Sequence, residues 1–274
     1  MKKLLSTLII CTLISPLIIS CDSGGDDTDP PMTDDTSGTD DTTDDSSDDT
    51  TGQTDDTTDT TSFYRLTREE RRTVGGPLFA VLEFEYNSQG YLVKYVQDNI
   101  ESGLVSTFEF EYEEDRIISA SRGGSVFADF EYDGDLITVQ TGFYDPITLR
   151  QEFFYDASGS LINEKVYTNG TYSCENNFVF DGGNRIVWDY ACQVQYFEYT
   201  HDNMNNPYKD FYPIGFATII AEGPNNVLTS HETLGDVTIT NTYIYNSLDY
   251  ITQRNFTQGA FDYEYTYTYE TLEL

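Results

Sequence analysis

Few residues in this chain are of a type and spacing that could do chemistry. Cys174 and Cys192, in "YSCENNFVFDGGNRIVWDYACQ", are the only cysteines from Phe63 onward. If Phe180 pairs with Ile186 across the intervening turn, paired positions sum to 366, and so do 174 and 192. The two cysteines then face each other six residues up each strand. Opposed residues of a non-hydrogen-bonded pair have Cα atoms about 4.5 Å apart, at the short end of what a disulfide accepts. A one-residue slip would turn them to opposite faces. In an oxidising compartment the pairing is favoured over two buried thiols, and a zinc site lacks its second pair of ligands.

The two histidines, His201 in "YTHDNMNN" and His231 in "TSHETLGD", lie beside carboxylates. No G-x-S-x-G elbow or H-E-x-x-H helix accompanies them, and they read as loop residues at hairpin turns. Carboxylate pairs such as Glu109/Glu111 and Glu113/Glu114 are plentiful, but those within a strand alternate onto a solvent face. Glycosidase chemistry requires one carboxyl in an apolar pocket. Glycine-rich "RGGSVF" and "VGGPLF" lack the strand–loop–helix setting of a phosphate site. No cofactor is expected.

The elements that carry these residues repeat. "FEYNSQGYLVKY" begins at Phe84, "FEYEEDRIISAS" at Phe110, "FEYDGDLITVQ" at Phe130, "FFYDASGSLINE" at Phe153 and "FVFDGGNRIVWD" at Phe178. Aromatics two apart with polar residues between them make a strand with one buried face. Asn-Ser-Gln-Gly, Asp-Gly and Asp-Ala-Ser-Gly follow, residues suited to tight turns. Aliphatic residues then resume at once, so each unit is a β-hairpin.

The last aromatic before each turn is Tyr86, Tyr112, Tyr132, Tyr155, Phe180, Tyr199 and Tyr245. Gaps run from 19 to 26 residues except the final 46, which reads as two periods with a worn copy near Thr218–Ser230. "RLTREERRT" (Arg65–Thr73) reads as a polar first strand. "FDYEYTYTYETLEL" reads as a closing strand with Phe261, Tyr263, Tyr265, Tyr267 and Tyr269 on one face. Fixed-period self-similarity means stacked units, none of which buries its face alone. The fold class is all-β: antiparallel hairpin repeats in a curled meander or barrel-like sheet over residues 63–274.

The first 62 residues are different in kind. Lys2 and Lys3, an apolar run from Leu4 to Ile19, then Ser20-Cys21 describe a secretory signal peptide over residues 1–20. The run is too short and interrupted for a spanning helix. Residues 21–62 form an Asp/Thr-rich tether. From Asp22 to Ser62 there are 15 Asp, no Lys or Arg and no aromatic residue, a composition that stays disordered and spans roughly 35 Å as a flexible coil. "DDTTDD" lacks the glycine-turned spacing of a calcium loop. The whole chain carries a formal charge of −34, and the region from Phe63 onward 12 basic against 33 acidic residues. Such a surface repels nucleic acid and anionic membranes.

Three resemblances give these features an address. Ile18-Ile19-Ser20-Cys21 resembles the lipobox of bacterial lipoproteins, which implies that Cys21 carries acyl chains and anchors the protein to a membrane. "YDASGSL", "YNSQGYL" and "FDGGNRI" resemble the Tyr-Asp-x-x-Gly-x-Leu core of YD (rearrangement-hot-spot-like) repeats, found among small lipoproteins of Bacteroidota. That family implies a long antiparallel meander and no catalytic residue. "YEEDRII" and "YTHDNMNN" depart from it by losing the glycine. Asp-Thr-Thr triplets place Thr42, Thr50, Thr57 and Thr60 in what resembles the O-glycosylation sequon of that phylum. The acidic residues after Cys21 resemble its surface-export signal.

The expectation is a non-enzymatic outer-membrane lipoprotein facing the cell exterior, whose repeat domain binds a glycan or envelope protein or packs against one. The alternative is a glycan-processing enzyme with carboxylates in a cleft between hairpins. A transmembrane barrel would also show alternating hairpins, and a polar lumen could accommodate Glu83, Glu85, Glu109 and Glu111 opposite the aromatics, but an acyl anchor and a long tether would then be redundant.

Overall fold

Each aromatic repeat becomes a hairpin because its inward side chains are bulky and apolar while the residues between them are charged. The computed structural model describes residues 62–191, 194–220 and 223–273. The strands are β1 (Ser62–Thr73), β2 (Leu78–Tyr86), β3 (Leu92–Asn99), β4 (Leu104–Glu113), β5 (Arg116–Arg122) and β6 (Ser125–Asp133). They continue as β7 (Leu136–Tyr144), β8 (Ile147–Tyr155), β9 (Leu161–Thr168), β10 (Thr171–Asp181), β11 (Asn184–Tyr190) and β12 (Gln195–Asn205). A short helix α1 (Ile214–Ile220) precedes β13 (Asn225–Glu232), β14 (Val237–Tyr245), β15 (Ile251–Gln258) and β16 (Phe261–Glu273).

Every strand pairs antiparallel with its sequence neighbours, and β1 pairs with β16, closing a 16-stranded barrel without an open edge. The polar "RLTREERRT" is indeed the first strand, and the tyrosine-rich C-terminal segment is the one that closes on it.

A bulge recurs at the end of six hairpins. Glu85 pairs with Lys94 but Tyr86 with Leu92, and the same step occurs before Tyr112, Tyr132, Tyr155, Phe180 and Tyr245. One extra residue on the second strand lets the aromatic before the turn and the aliphatic after it face the same interior. Those aliphatics, Leu92, Ile117, Ile137, Leu161 and Ile251, are almost wholly buried. The tyrosines fasten neighbouring hairpins together. Tyr112 donates to the Leu92 carbonyl at 2.6 Å, Tyr132 to Ile117 at 3.0 Å and Tyr155 to Ile137 at 2.6 Å. Tyr86 donates likewise to Leu66. Burial raises these phenols, Tyr132 to about 12, so they stay protonated donors.

The turns explain the Asn or Asp after the tyrosine. Asn87 Oδ1 accepts from the amides of Gln89 and Tyr91, Asp156 Oδ1 from Ser158 and Ser160, and Asn246 Oδ1 from Leu248 and Tyr250. Where "YEEDRII" lacks glycine, Glu114 itself takes the left-handed conformation, with φ of 54°.

The 46-residue gap does not hold a worn hairpin. β12, β13 and β14 supply one repeat's worth of strands, and the extra length is an insertion between β12 and β13. It carries Phe211, Phe216, Tyr208 and Tyr212 into the barrel's two apolar clusters. The histidines are not in turns either. His201 lies within β12, opposite Val227, and His231 within β13, paired with Glu198 and Thr238.

Candidate functional site

Side chains that point inward line the lumen, and they are of two kinds. Around the repeat turns they are aromatic and aliphatic. Phe216 of the insertion lies 5.9 Å from Phe110 and 5.1 Å from Phe130 between ring centres, and Phe211 lies 5.0 Å from Phe84. The insertion is tied to the wall by Leu92 N–H donating to the Phe211 carbonyl at 2.7 Å. Gly215 abuts the backbone of the β6–β7 turn so closely that a Cβ there would sit 1.9 Å from the Asp135 carbonyl oxygen. Only glycine fits. The insertion is therefore a plug seated at one mouth of the barrel.

Deeper along the strands two polar clusters interrupt this packing. The first arises from a bulge in β1, where the register shifts between Leu66 and Arg68. The shift turns Glu69 and Arg71 inward and leaves Arg68, Glu70 and Arg72 outside. Glu69 is fully buried, and Arg71 Nε donates to its Oε1 at 2.5 Å. Tyr208 of the plug donates to Glu69 Oε2. Burial opposes the Arg71 cation, but Glu69 together with Tyr265 and Tyr208 outweighs this and holds the guanidinium above its ordinary pKa. Across Tyr265 lies a second buried guanidinium, Arg254, 5.6 Å from that ring, while Arg71 is 5.0 Å from it. Arg254 Nε donates to Asn241 Oδ1 at 2.9 Å, and Asn241 in turn donates to the Val227 carbonyl at 2.8 Å.

The second cluster joins β8, β9 and β10. Glu164, turned inward opposite Phe153 by the bulge that follows Leu161, accepts from Gln151 Nε2 and, at 2.8 Å, from Asn176 Nδ2. Burial raises its pKa despite these two donors. Gln140 on β7 is buried on the same lumen wall.

Chemically these clusters hold the wall together rather than wait for a reactant. Both oxygens of Glu69 are engaged, by a guanidinium and a phenol, and both oxygens of Glu164 by amides. Neither presents a carboxyl with a free face to an attacking water, which acid–base hydrolysis would need. Among the described residues no three His, Cys, Asp or Glu side chains converge as metal ligands. His231 meets Thr238 at 2.9 Å, and burial lowers the pKa of His201, so neither is poised beside a nucleophile.

The outer wall is the reverse of the lumen. Glu83, Glu85, Glu109, Glu111, Asp129 and Glu131 project outward and are exposed, with Lys94 and Arg150 bridging between strands to Glu85 at 2.6 Å and Glu131 at 3.4 Å. No described helix is long and apolar enough to cross a membrane. The strands carry charge on the face that would meet lipid.

Of the residues singled out from sequence, Cys21, Thr42, Thr50, Thr57, Thr60 and Cys192 lie outside the described residues. Cys174 is on β10 beside Val166 of β9. The expected pairing of Phe180 with Ile186 is corrected: Phe180 pairs with Arg185, and Ile186 is the extra residue of the bulge. Beyond the bulge the register does sum to 366, with Val179 opposite Val187 and Phe178 opposite Trp188. Sequence reading missed Glu69, Arg71, Arg254 and Glu164, since alternation alone does not show which face a bulged strand buries.

No protein-family model matches this chain, and no curated protein matches it. Solved structures do. A porin-like protein from Bacteroides uniformis superposes with a TM-score of 0.54 at 15% identity, covering 75% of this chain and 98% of that one. A porin-like protein from Bacteroides vulgatus gives a TM-score of 0.36 at 11% identity, covering 76% and 99%. The first likeness is one of barrel fold.

Proposed function

We propose that this chain is a non-enzymatic envelope lipoprotein: a water-exposed, sealed β-barrel built of YD-like hairpins, held to the outer membrane through Cys21 by the Asp/Thr-rich tether and displayed outside the cell. One observation carries the reading. The barrel buries its aromatic face and exposes its charged face, the opposite of a barrel that spans a bilayer. Carboxylates outward at mid-strand cost roughly 2–3 kcal/mol each or more in hydrocarbon, and the wall has many.

The porin-like description of the structural neighbours supplies the rival reading, a pore. The plug argues against conduction, and the exposed Glu rows argue against insertion. A glycan-processing enzyme is disfavoured by the engaged oxygens of Glu69 and Glu164. Binding or packing in the envelope fits a rigid barrel with no reactive group to offer.

Fractionation tests the anchor. Cys21→Ser should release the protein from the membrane fraction, and unchanged fractionation overturns the lipoprotein reading. Protease shaving of intact cells, with mass measurement of the tether, tests display and glycosylation at Thr42, Thr50, Thr57 and Thr60. A protected tether of unmodified mass overturns both. Stable single-channel conductance from the purified protein in planar bilayers would establish the rival instead.

A further inference from the structure

The two ends of the barrel differ. At the plugged end the turns carry Glu113, Glu114, Asp115, Asp133, Asp135 and Asp156, and Ser62 enters β1 there. At the other end eight short connections join β1–β2, β3–β4 and so on round to β15–β16, none longer than four residues. Each of the eight carries an exposed large apolar or aromatic side chain at its tip or within two residues of it. Leu104 is 67% exposed, Val194 73%, Leu234 67% and Phe261 60%, and Val74 and Val126 are at least half exposed. Phe143 and Tyr172 complete the circle.

We propose that this apolar rim is a membrane-contact surface, which seats the end of the barrel on the headgroup region of a zwitterionic bilayer without crossing it. The spacing of the side chains selects a bilayer over a protein. Neighbouring connections at one barrel end lie two strand spacings apart, about 10 Å. Between the apolar tips stand Gly, Asn, Thr and Asp, so the rim is a ring of separate apolar points and not a continuous patch. A protein interface needs a contiguous, closely packed apolar centre. A bilayer accepts each side chain independently. Exposed Glu101, Asp145 and Asp236 on the same rim disfavour anionic lipid. The chain that enters at Ser62 does not prevent this seating. The 41 residues from Asp22 to Ser62 reach up to about 140 Å fully extended, several times the length of a strand. The inference does not depend on acylation of Cys21.

The test uses the chain from Ser62 onward, which has no leader and closes its barrel with its own first and last strands. It should co-float with phosphatidylcholine vesicles. Replacing Leu104, Val126, Leu234 and Phe261 together by Ser should lower the floating fraction at least tenfold without moving the thermal midpoint, since all four are exposed. In separate proteins, Phe261→Trp emission should shift to shorter wavelength on adding vesicles, while Phe154→Trp on the lateral wall should not respond. Wild-type protein that fails to float, or a quadruple variant that floats equally well, overturns the proposal. So does a concentration-dependent dimer, in vesicle-free sedimentation, that the quadruple variant abolishes. That result assigns the rim to a second copy of the chain.

Discussion

The hydroxyl of Tyr112 donates to the carbonyl of Leu92 at 2.6 Å, twenty residues back along the chain. It is one rung of a series in which Tyr112, Tyr132 and Tyr155 each bond the carbonyl of a buried aliphatic residue just after the preceding turn, whereas Tyr245 bonds Asp202 instead. The rung links two hairpins that share only a strand-to-strand edge, and it brings a donor to a buried carbonyl.

Removing the hydroxyl takes a donor from that buried carbonyl. Tyr112→Phe should therefore destabilise the barrel by about 1–2 kcal/mol, read from denaturant midpoints at unchanged slope. The series breaks at Phe180, which has the same bulge but no hydroxyl. Phe180→Tyr should add a rung to the Leu161 carbonyl and raise the midpoint, and a fall would show that the site has no room for the oxygen.

The buried pair of Glu69 and Arg71 should behave asymmetrically. Arg71→Met strands a carboxylate with only Tyr208 as donor and should cost about 3–5 kcal/mol. Replacing both residues together by Met and Leu should recover most of that loss. A double-mutant cycle in urea measures the difference, and additive losses would mean the two side chains act independently.

Stability should depend on pH through Glu164. Its folded pKa is raised by burial, so the folded state holds a proton that the unfolded chain has already released. The contribution is complete below the ordinary carboxylate pKa and is lost as pH rises through the raised value. Glu164→Gln should flatten that part of the curve. Thermal midpoints from pH 4 to 8 provide the check, and identical slopes in both proteins would refute the assignment.

Cys174 and Cys192 are expected to form one bridge across the β10–β11 hairpin. Non-reducing peptide mapping should find them linked, and Cys174→Ala should cost about 2–4 kcal/mol. Two alkylatable thiols in protein taken from the envelope would rule the bridge out.

Glu114 adopts a φ of 54° at a turn where its counterparts Gly134 and Gly182 adopt 60° and 55°. Glu114→Gly should relieve roughly 1 kcal/mol of backbone strain, partly offset by the entropy glycine loses on folding. A small rise in thermal midpoint is the expected outcome. A fall would mean the Glu114 side chain is engaged in a way its exposure does not reveal.

Much of the barrel was legible because its alphabet is coarse. Phe and Tyr two apart, then Asn or Asp, then an aliphatic residue, specify strand, turn and strand with little ambiguity, and Tyr263 to Tyr269 marks the strand that closes the sheet. The plug was not legible. Its Pro213 and Gly215 break the period, but 46 residues happen to equal two repeats, and spacing cannot distinguish an insertion from a decayed copy. Nor were the lumen residues. In "RLTREERRT" a single bulge at Thr67 decides which of five charged residues are buried, and that choice depends on the register with β16, some 200 residues away. The same kind of bulge displaced the expected partner of Phe180 by one residue.

That pairing of β1 with β16 has a consequence for how the protein comes into being. A chain that crosses a membrane from its N-terminus delivers β1 first and β16 last. Until the final tyrosine-rich strand arrives, both edges of a growing sheet stand open, and the interior aromatics have no closed shell around them. Closure is therefore a single late event that couples the two termini, and its loop-closure entropy is met all at once. A truncation that removes β16 would not yield a slightly smaller barrel but an open sheet with two adhesive edges. Such a chain depends on whatever holds unfinished β-structure apart until its last thirteen strand residues are in place.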